Sequence, residues 1–224
     1  MKTVYAVLTG DLVGSSAAGA ARREEYRLHV HKTFHALSEA LPRLPAPNEL
    51  IGWQMFRGDS FQAVLRRPSG SVRAAVLIRA GVRSFAAPPK RALVDARVAV
   101  GLGGVDLLPS EAVGEGDGPA FRLSGKLLDA MGKRRLALAA EDRLRPDAFA
   151  GALPLIDGVV SRWTAREAGV AFLALQGLSG QAVAASLGLA PTLVSRLVRR
   201  ALVEELDLVC RDIDRLITDT DVPI

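Results

Sequence analysis

The hydrophobic pattern of this chain changes once, near Pro146, and that change limits what it can fold into. Before Pro146, short apolar runs of strand character alternate with stretches of helical period. After it, strand patterns stop and helix follows helix. Residues 3–9 read as a buried strand. Residues 18–41 read as a helix, with Tyr26, Val30, Phe34, Leu37 and Leu41 on one face and Arg22, Arg23, Glu24, Glu25 and Arg27 mostly off it. Pro42, Pro45 and Pro47 end that helix. Residues 50–57 and 60–66 form a hairpin turning at Gly58-Asp59, and 69–86 a helix closed by Pro88-Pro89. A strand over 92–101 is expected to loosen at Gly101, Gly103 and Gly104. A loop over 114–119, a helix over Ala120 to Met131 and a strand over Leu136 to Ala140 complete this part.

The order β-α-β-β-α-β, then α-β, implies a ferredoxin-like core with an extension. Beyond it, helices are expected over 153–163, 164–176, 179–187, 190–201 and 202–218, the last two either separate or continuous. The expected fold class is therefore α+β. A ferredoxin-like domain over residues 1–145 precedes an all-α domain over residues 152–220, with the boundary near 144–152.

Charge is divided unevenly. Residues 1–150 carry 22 Lys and Arg against 15 Asp and Glu, and residues 151–224 carry 7 against 9. The basic excess favours a polyanionic partner for the first part, although solvated arginine-rich helix faces would give the same count. The lone cysteine, Cys210, excludes an internal disulfide framework. No stretch of about 18 apolar residues suits a membrane span, and no N-terminal segment has the build of a secretory signal. Cytoplasmic location with no membrane partner is the expectation.

Two segments carry candidate chemistry. Val4 to Leu8 run into Thr9-Gly10-Asp11, and Met55-Phe56-Arg57 into Gly58-Asp59. A carboxylate at the end of each of two neighbouring strands can hold a hard cation, Mg²⁺ or Mn²⁺, that carries substrate phosphates. Gly14-Ser15-Ser16 then leads into a helix whose free amides attract phosphate. Each aspartate could instead cap a turn or helix. His31 and His35 lie four apart on one helix but lack a third metal ligand, so they read as solvated. Trp53 and Trp163 read as packing residues.

These motifs resemble class III nucleotidyl cyclases, and more closely the SatD family of bacterial proteins. The carriers of the resemblance are Asp11-Leu12-Val13-Gly14-Ser15-Ser16, Gly58-Asp59-Ser60-Phe61-Gln62-Ala63-Val64, the strand from Ala96 to Val105 and the segment from Gly118 to Leu127. The resemblance implies a palm domain with Asp11 and Asp59 as the metal pair. It implies that Leu12, Val13, Gly14, Ser15 and Ser16 cradle nucleotide phosphates. The cyclase position that orients the ribose falls on Arg122, and the transition-state arginine falls on Lys126, which lacks a planar fork. The adenine-reading lysine falls near Met55. An intact metal pair with altered base reading favours nucleotide binding over efficient cyclisation. Cyclases of this class pair, so a homodimer is implied.

Leu178 to Ala201 resembles a helix-turn-helix of the sigma-factor region 4 kind. Ala184 and Ala185 allow close helix approach, Gly188 permits a left-handed turn, and Leu189 fills the angle. The expected DNA contacts are Ser179, Gln181, Thr192, Ser195, Arg196, Arg199 and Arg200. A hairpin used only for packing is the alternative, and the acidic balance of the second part favours it. Leu202, Leu206, Val209, Ile213, Leu216 and Ile217 recur at helical spacing, as core or as a dimer seam.

The expectation is thus a homodimeric DNA-binding transcriptional regulator with a metal-dependent nucleotide-sensing domain. The alternative is a nucleotidyl cyclase or nucleotidyltransferase acting on a nucleoside triphosphate with Mg²⁺, in which Lys126 and Arg122 would be catalytic.

Overall fold

The computed structural model describes residues 3–14, 23–56, 59–85, 94–108, 113–144 and 146–219. Among them are five strands and eight α-helices, a mixed α+β architecture. The strands are β1 (Val4–Val13), β2 (Leu50–Phe56), β3 (Ser60–Leu65), β4 (Asp95–Gly104) and β5 (Leu136–Ala140). They form one sheet in the order β2-β3-β1-β4-β5. β1 lies antiparallel to both β3 and β4, and β5 lies parallel to β4.

Alternation along β1 sends Ala6, Leu8 and Leu12 to the main core and Val7 to a second, smaller cluster. The first face is covered by α1 (Arg23–Ala40) and α2 (Ser71–Arg83). α3 (Pro119–Ala130) packs on β4, β1 and β5, with Ala120 and Phe121 in Val7's cluster on the opposite face.

The glycines of β4 were expected to loosen its end, yet the strand continues to Gly104. They serve helix packing: a Cβ at Gly101 would stand 2.2 Å from the Ala120 carbonyl oxygen and 2.6 Å from the Ser124 nitrogen. β1 likewise runs past its expected end, because Leu12 and Val13 pair with Ala96 and Asp95 on β4.

The chain then turns into α4 (Ala152–Arg162), α5 (Ala165–Ala174), α6 (Gly180–Leu187), α7 (Pro191–Arg200) and α8 (Val203–Asp219). α7 and α8 are separate. Leu202 takes a left-handed conformation at φ 54°, which no α-helix can carry through. In α8, Leu206, Ile213 and Ile217 are buried in the main core with Val209 against it, while Leu216 is exposed.

Every residue of α2 is buried, including Arg73, Arg79 and Arg83. The sheet covers one side of this helix, and α4, α5 and α8 cover the other. One hydrophobic cluster therefore runs from β1 through α2 to Ile217, across the boundary expected near 144–152. The buried arginines bond across the layers. Arg79 donates to both Asp95 carboxylate oxygens at 3.1 and 2.9 Å, and to Asp157 at 2.8 Å and Ser161 Oγ at 2.9 Å on α4. Arg83 donates to Asp95 at 2.7 Å and to the carbonyls of Ser161 and Trp163. Burial lowers the Arg83 pKa, and the adjacent Asp95 charge opposes that shift. No single described helix is long and apolar enough to cross a membrane.

Candidate functional site

The first candidate site is the end of the sheet where β1, β3 and β4 meet. Register sets Asp11 opposite Ser60 on one side and Arg97 on the other, and Asp59 directly precedes Ser60. The two aspartates thus reach the same sheet end, but they are held differently. Arg97 Nε donates to Asp11 Oδ1 at 2.9 Å, and Arg97 Nη2 donates to Asp11 Oδ2. This bidentate pair is half-buried. The bond to Asp11 raises the Arg97 pKa against a smaller opposing burial effect. Asp59 stands exposed, and its carbonyl accepts the Leu12 amide at 2.8 Å.

Beside this pair a ladder of polar groups crosses the sheet face. Gln62 Nε2 donates to Thr9 Oγ1 at 3.2 Å, Thr9 and Ser124 hydroxyls bond at 2.8 Å, and Ser124 donates to the Phe121 carbonyl at 3.1 Å. Since the Ser124 proton goes to Phe121, Thr9 is the donor in the middle bond.

A divalent ion of the Mg²⁺ type needs free oxygen ligands. Both oxygens of Asp11 accept from one guanidinium, and among the described residues no group of three or more His, Cys, Asp or Glu is placed to hold a metal. This donor set does not fit Mg²⁺ or Mn²⁺ while Arg97 is in place. Of the expected phosphate cradle, Leu12 and Val13 belong to β1, and the Leu12 amide is already used. Gly14 turns the chain at φ 77°, and Ser15 and Ser16 lie outside the described residues, as does Gly58.

Arg122 and Lys126 occupy the exposed face of α3, whereas Ala120, Phe121 and Ser124 face the protein. Arg122 is held by Asp117 at 2.7 Å and Asp106 at 3.4 Å. His31 packs edge-on against Trp53, which stacks on Phe34, and His35 pairs with Glu39. Thr9, Gln62, Arg97 and Ser124 were not singled out from the sequence. The signal for Thr9, Gln62 and Arg97 is polar residues at alternate positions within apolar strands, on the same face as Asp11, whereas Ser124 lies on α3.

The second candidate site is the pair α6 and α7. Ser179 caps α6 by accepting from the Ala182 amide at 3.3 Å. Gly188 ends it at φ 62°, and Pro191 opens α7. The axes of the two helices differ by 108°. Val183 and Ala184 of α6 pack with Val194 and Leu197 of α7 on Val170 of α5, with Leu189 against them. That arrangement leaves Pro191, Thr192, Ser195, Arg196 and Arg199 exposed along α7, with Ser179 and Gln181 exposed at the start of α6. Arg200 is exposed but paired at 3.2 Å with Glu167, a buried residue of the capping box that starts α5. Among the described residues, Arg196 and Arg199 have no ion-pair partner.

The comparisons with known proteins add no kinship. No family model matches the chain, and no curated protein is significantly similar to it.

Proposed function

We propose that this chain is a DNA-binding transcriptional regulator in which α6 and α7 act as a helix-turn-helix. One observation carries the reading: two short helices crossing at 108° about a left-handed Gly188, with Thr192, Ser195, Arg196 and Arg199 exposed on the second. Helix-turn-helix units cross at about 90–120°. They present the N-terminal residues of the second helix to base edges in the major groove. Thr192 and Ser195 are the base-edge candidates, and Arg196 and Arg199 the phosphate contacts. A homodimer reading two half-sites suits this geometry.

The test is fluorescence anisotropy with mixed-sequence duplex DNA from low to physiological salt. Binding should weaken steeply with salt, and Arg196→Ala and Arg199→Ala should each reduce the salt slope by about one unit. A chain that fails to retain duplex at low salt overturns the proposal.

The β-α-β-β-α-β order and the antiparallel neighbours of β1 support a ferredoxin-like, palm-type reading of the first part. Nucleotide sensing is a second reading, favoured by the polar strip of Thr9, Asp11, Gln62 and Arg97 on one sheet face. In that reading Arg97 meets the phosphates. A nucleoside triphosphate that raises the melting temperature without Mg²⁺ supports it, and no rise with or without Mg²⁺ removes it. The outward placement of Arg122 and Lys126 makes binding a better reading than cyclisation.

A further inference from the structure

A cavity of about 650 Å³ opens where the helical part meets the segment after α1. Its apolar wall comes from Leu175, Val183, Val194 and Val198. Four arginines also line it: Arg43, Arg73 of α2, Arg199 of α7 and Arg211 of α8. Among the described residues, the acids in the lining are Glu204 and Asp207. Asp207 is consumed by Arg73, at 2.5 Å, and by Arg211. Among the described residues, Arg43 and Arg199 have no ion-pair partner.

Arg73 supplies an independent sign. It is 1% exposed, and its Nε is a buried donor with no hydrogen-bond partner. A buried polar atom left unpaired costs free energy unless an acceptor satisfies it, so such an atom calls for an explanation. That nitrogen is itself closed off from solvent, so Arg73 adds positive charge behind the wall of a space of the size that takes small molecules.

We propose that this cavity binds a small amphipathic carboxylate. The apolar body lies on the leucine and valine wall, and the carboxylate accepts from Arg43, with Arg199 beside it. Among the described residues no aromatic side chain lines the cavity for a base to stack on, so a nucleotide is a poor occupant. Val194, Val198 and Arg199 belong to α7, so an occupant touches the helix assigned above to DNA. That coupling rests on the DNA reading, whereas the binding itself does not.

The experiment titrates the full chain with 1-anilinonaphthalene-8-sulfonate, a fluorescent amphipathic anion, then displaces it with decanoate or with decanamide. One saturable dye site per chain is expected, with decanoate displacing the dye about tenfold more strongly than the neutral amide, the worth of one charge-assisted bond. Arg43→Gln, at an exposed position, should weaken decanoate by a similar factor, about tenfold. Val198→Trp, which fills the cavity, should abolish displaceable dye binding. Equal displacement by acid and amide, absence of a saturable site, or unchanged decanoate binding in Arg43→Gln overturns the proposal. None of these readouts uses DNA, so a failed DNA titration and a failed dye titration are told apart.

Discussion

Asp95 is the residue on which the joint between the sheet and the C-terminal helices turns. It is 3% exposed and accepts from Arg79 Nε and Nη2, from Arg83 Nη1 and from the Ala96 amide. Arg135 stands 3.5 Å away. Breaking a buried pair by removing one partner costs about 3–5 kcal/mol, because the survivor is left charged and dry. The two halves of this pair should not cost the same. In Arg79→Met the stem still fills its space, Asp95 keeps Arg83 at 2.7 Å, and Asp157 keeps the Arg135 amide at 3.0 Å and the Ser161 hydroxyl at 3.1 Å and is 15% exposed. The expected loss is about 3 kcal/mol. In Asp95→Asn two guanidiniums, 0% and 8% exposed, lose their shared anion, which puts the loss near the upper limit, about 5 kcal/mol.

For a chain of this size about 3–5 kcal/mol corresponds to a melting shift of roughly 6–20 °C. Urea unfolding followed by tryptophan fluorescence separates the contributions of the layers. Trp53 lies on β2, and Trp163 follows α4, where its Nε1 donates to the Ala201 carbonyl at 3.0 Å. With Trp163→Phe or Trp53→Phe as background, each remaining tryptophan reports one layer. Because one core spans both, the two transitions should coincide and shift together in Arg79→Met. A loss under about 1 kcal/mol, or Trp163 unfolding well before Trp53, would refute the claim that this network joins the layers.

Two further predictions concern the half-buried His29 and the buried Cys210. Burial lowers the His29 pKa below its ordinary value, against an opposing hydrogen bond to the Gly81 carbonyl at 2.7 Å. The unfolded chain therefore takes up a proton more readily, so the His29 contribution is intact above about pH 6.5 and is lost as pH falls below it. The stability difference between the parent and His29→Gln should shrink from pH 7 to pH 5.5 in urea titrations, and a constant difference refutes the assignment. Cys210 is 1% exposed, and burial pushes its thiol up to about 12, with Arg73 opposing. Disulfide-exchange reagent at pH 8 should label it only as fast as the chain unfolds, so rapid labelling in native buffer would place α8 outside the core.

The parts legible in the sequence obey local rules. Gly188, Pro191 and Ser179 each act within one turn of their own position, so the α6–α7 hairpin could be drawn from composition and spacing. The Leu136–Ala140 strand was found at its observed bounds because its flanks punctuate it. What escaped depends on residues far apart in the chain. Asp11 and Arg97 are separated by 86 positions, and only the pairing of β1 with β4 brings them together. The length of β1 is likewise a property of its neighbours. On α2 the arginines occupy positions that helical periodicity assigns to solvent, and they would be solvated if the sheet were its sole partner. The break at Leu202 lacks a glycine or proline to announce it, and it is held by packing at Ala201, which is fully buried.

The enclosure of α2 decides which motions the molecule can make. Swinging the helical part as a whole off the sheet would expose the apolar face of α8 and strand Arg73, Arg79 and Arg83, each bonded across the joint. α8 is fastened at a further point, where the Gly70 amide donates to Asp214 at 2.6 Å. Burial raises the Asp214 pKa there, although this bond and Arg73 both favour its anion. α6 and α7 differ from the rest, because their contacts form a separate small cluster with Val170. A shift of α6 and α7 against α5 and α8 breaks that cluster, the Arg200–Glu167 pair and the contact of Val198 with the main core, and leaves the network of Arg73, Arg79 and Arg83 intact. The cavity lies along that seam, with Val183, Val194 and Val198 on the side able to move and Arg73 and Asp207 on the side that is fixed. A ligand bridging the two sides would favour one setting of α7, and the size of its effect on DNA would equal its difference in affinity for the two settings.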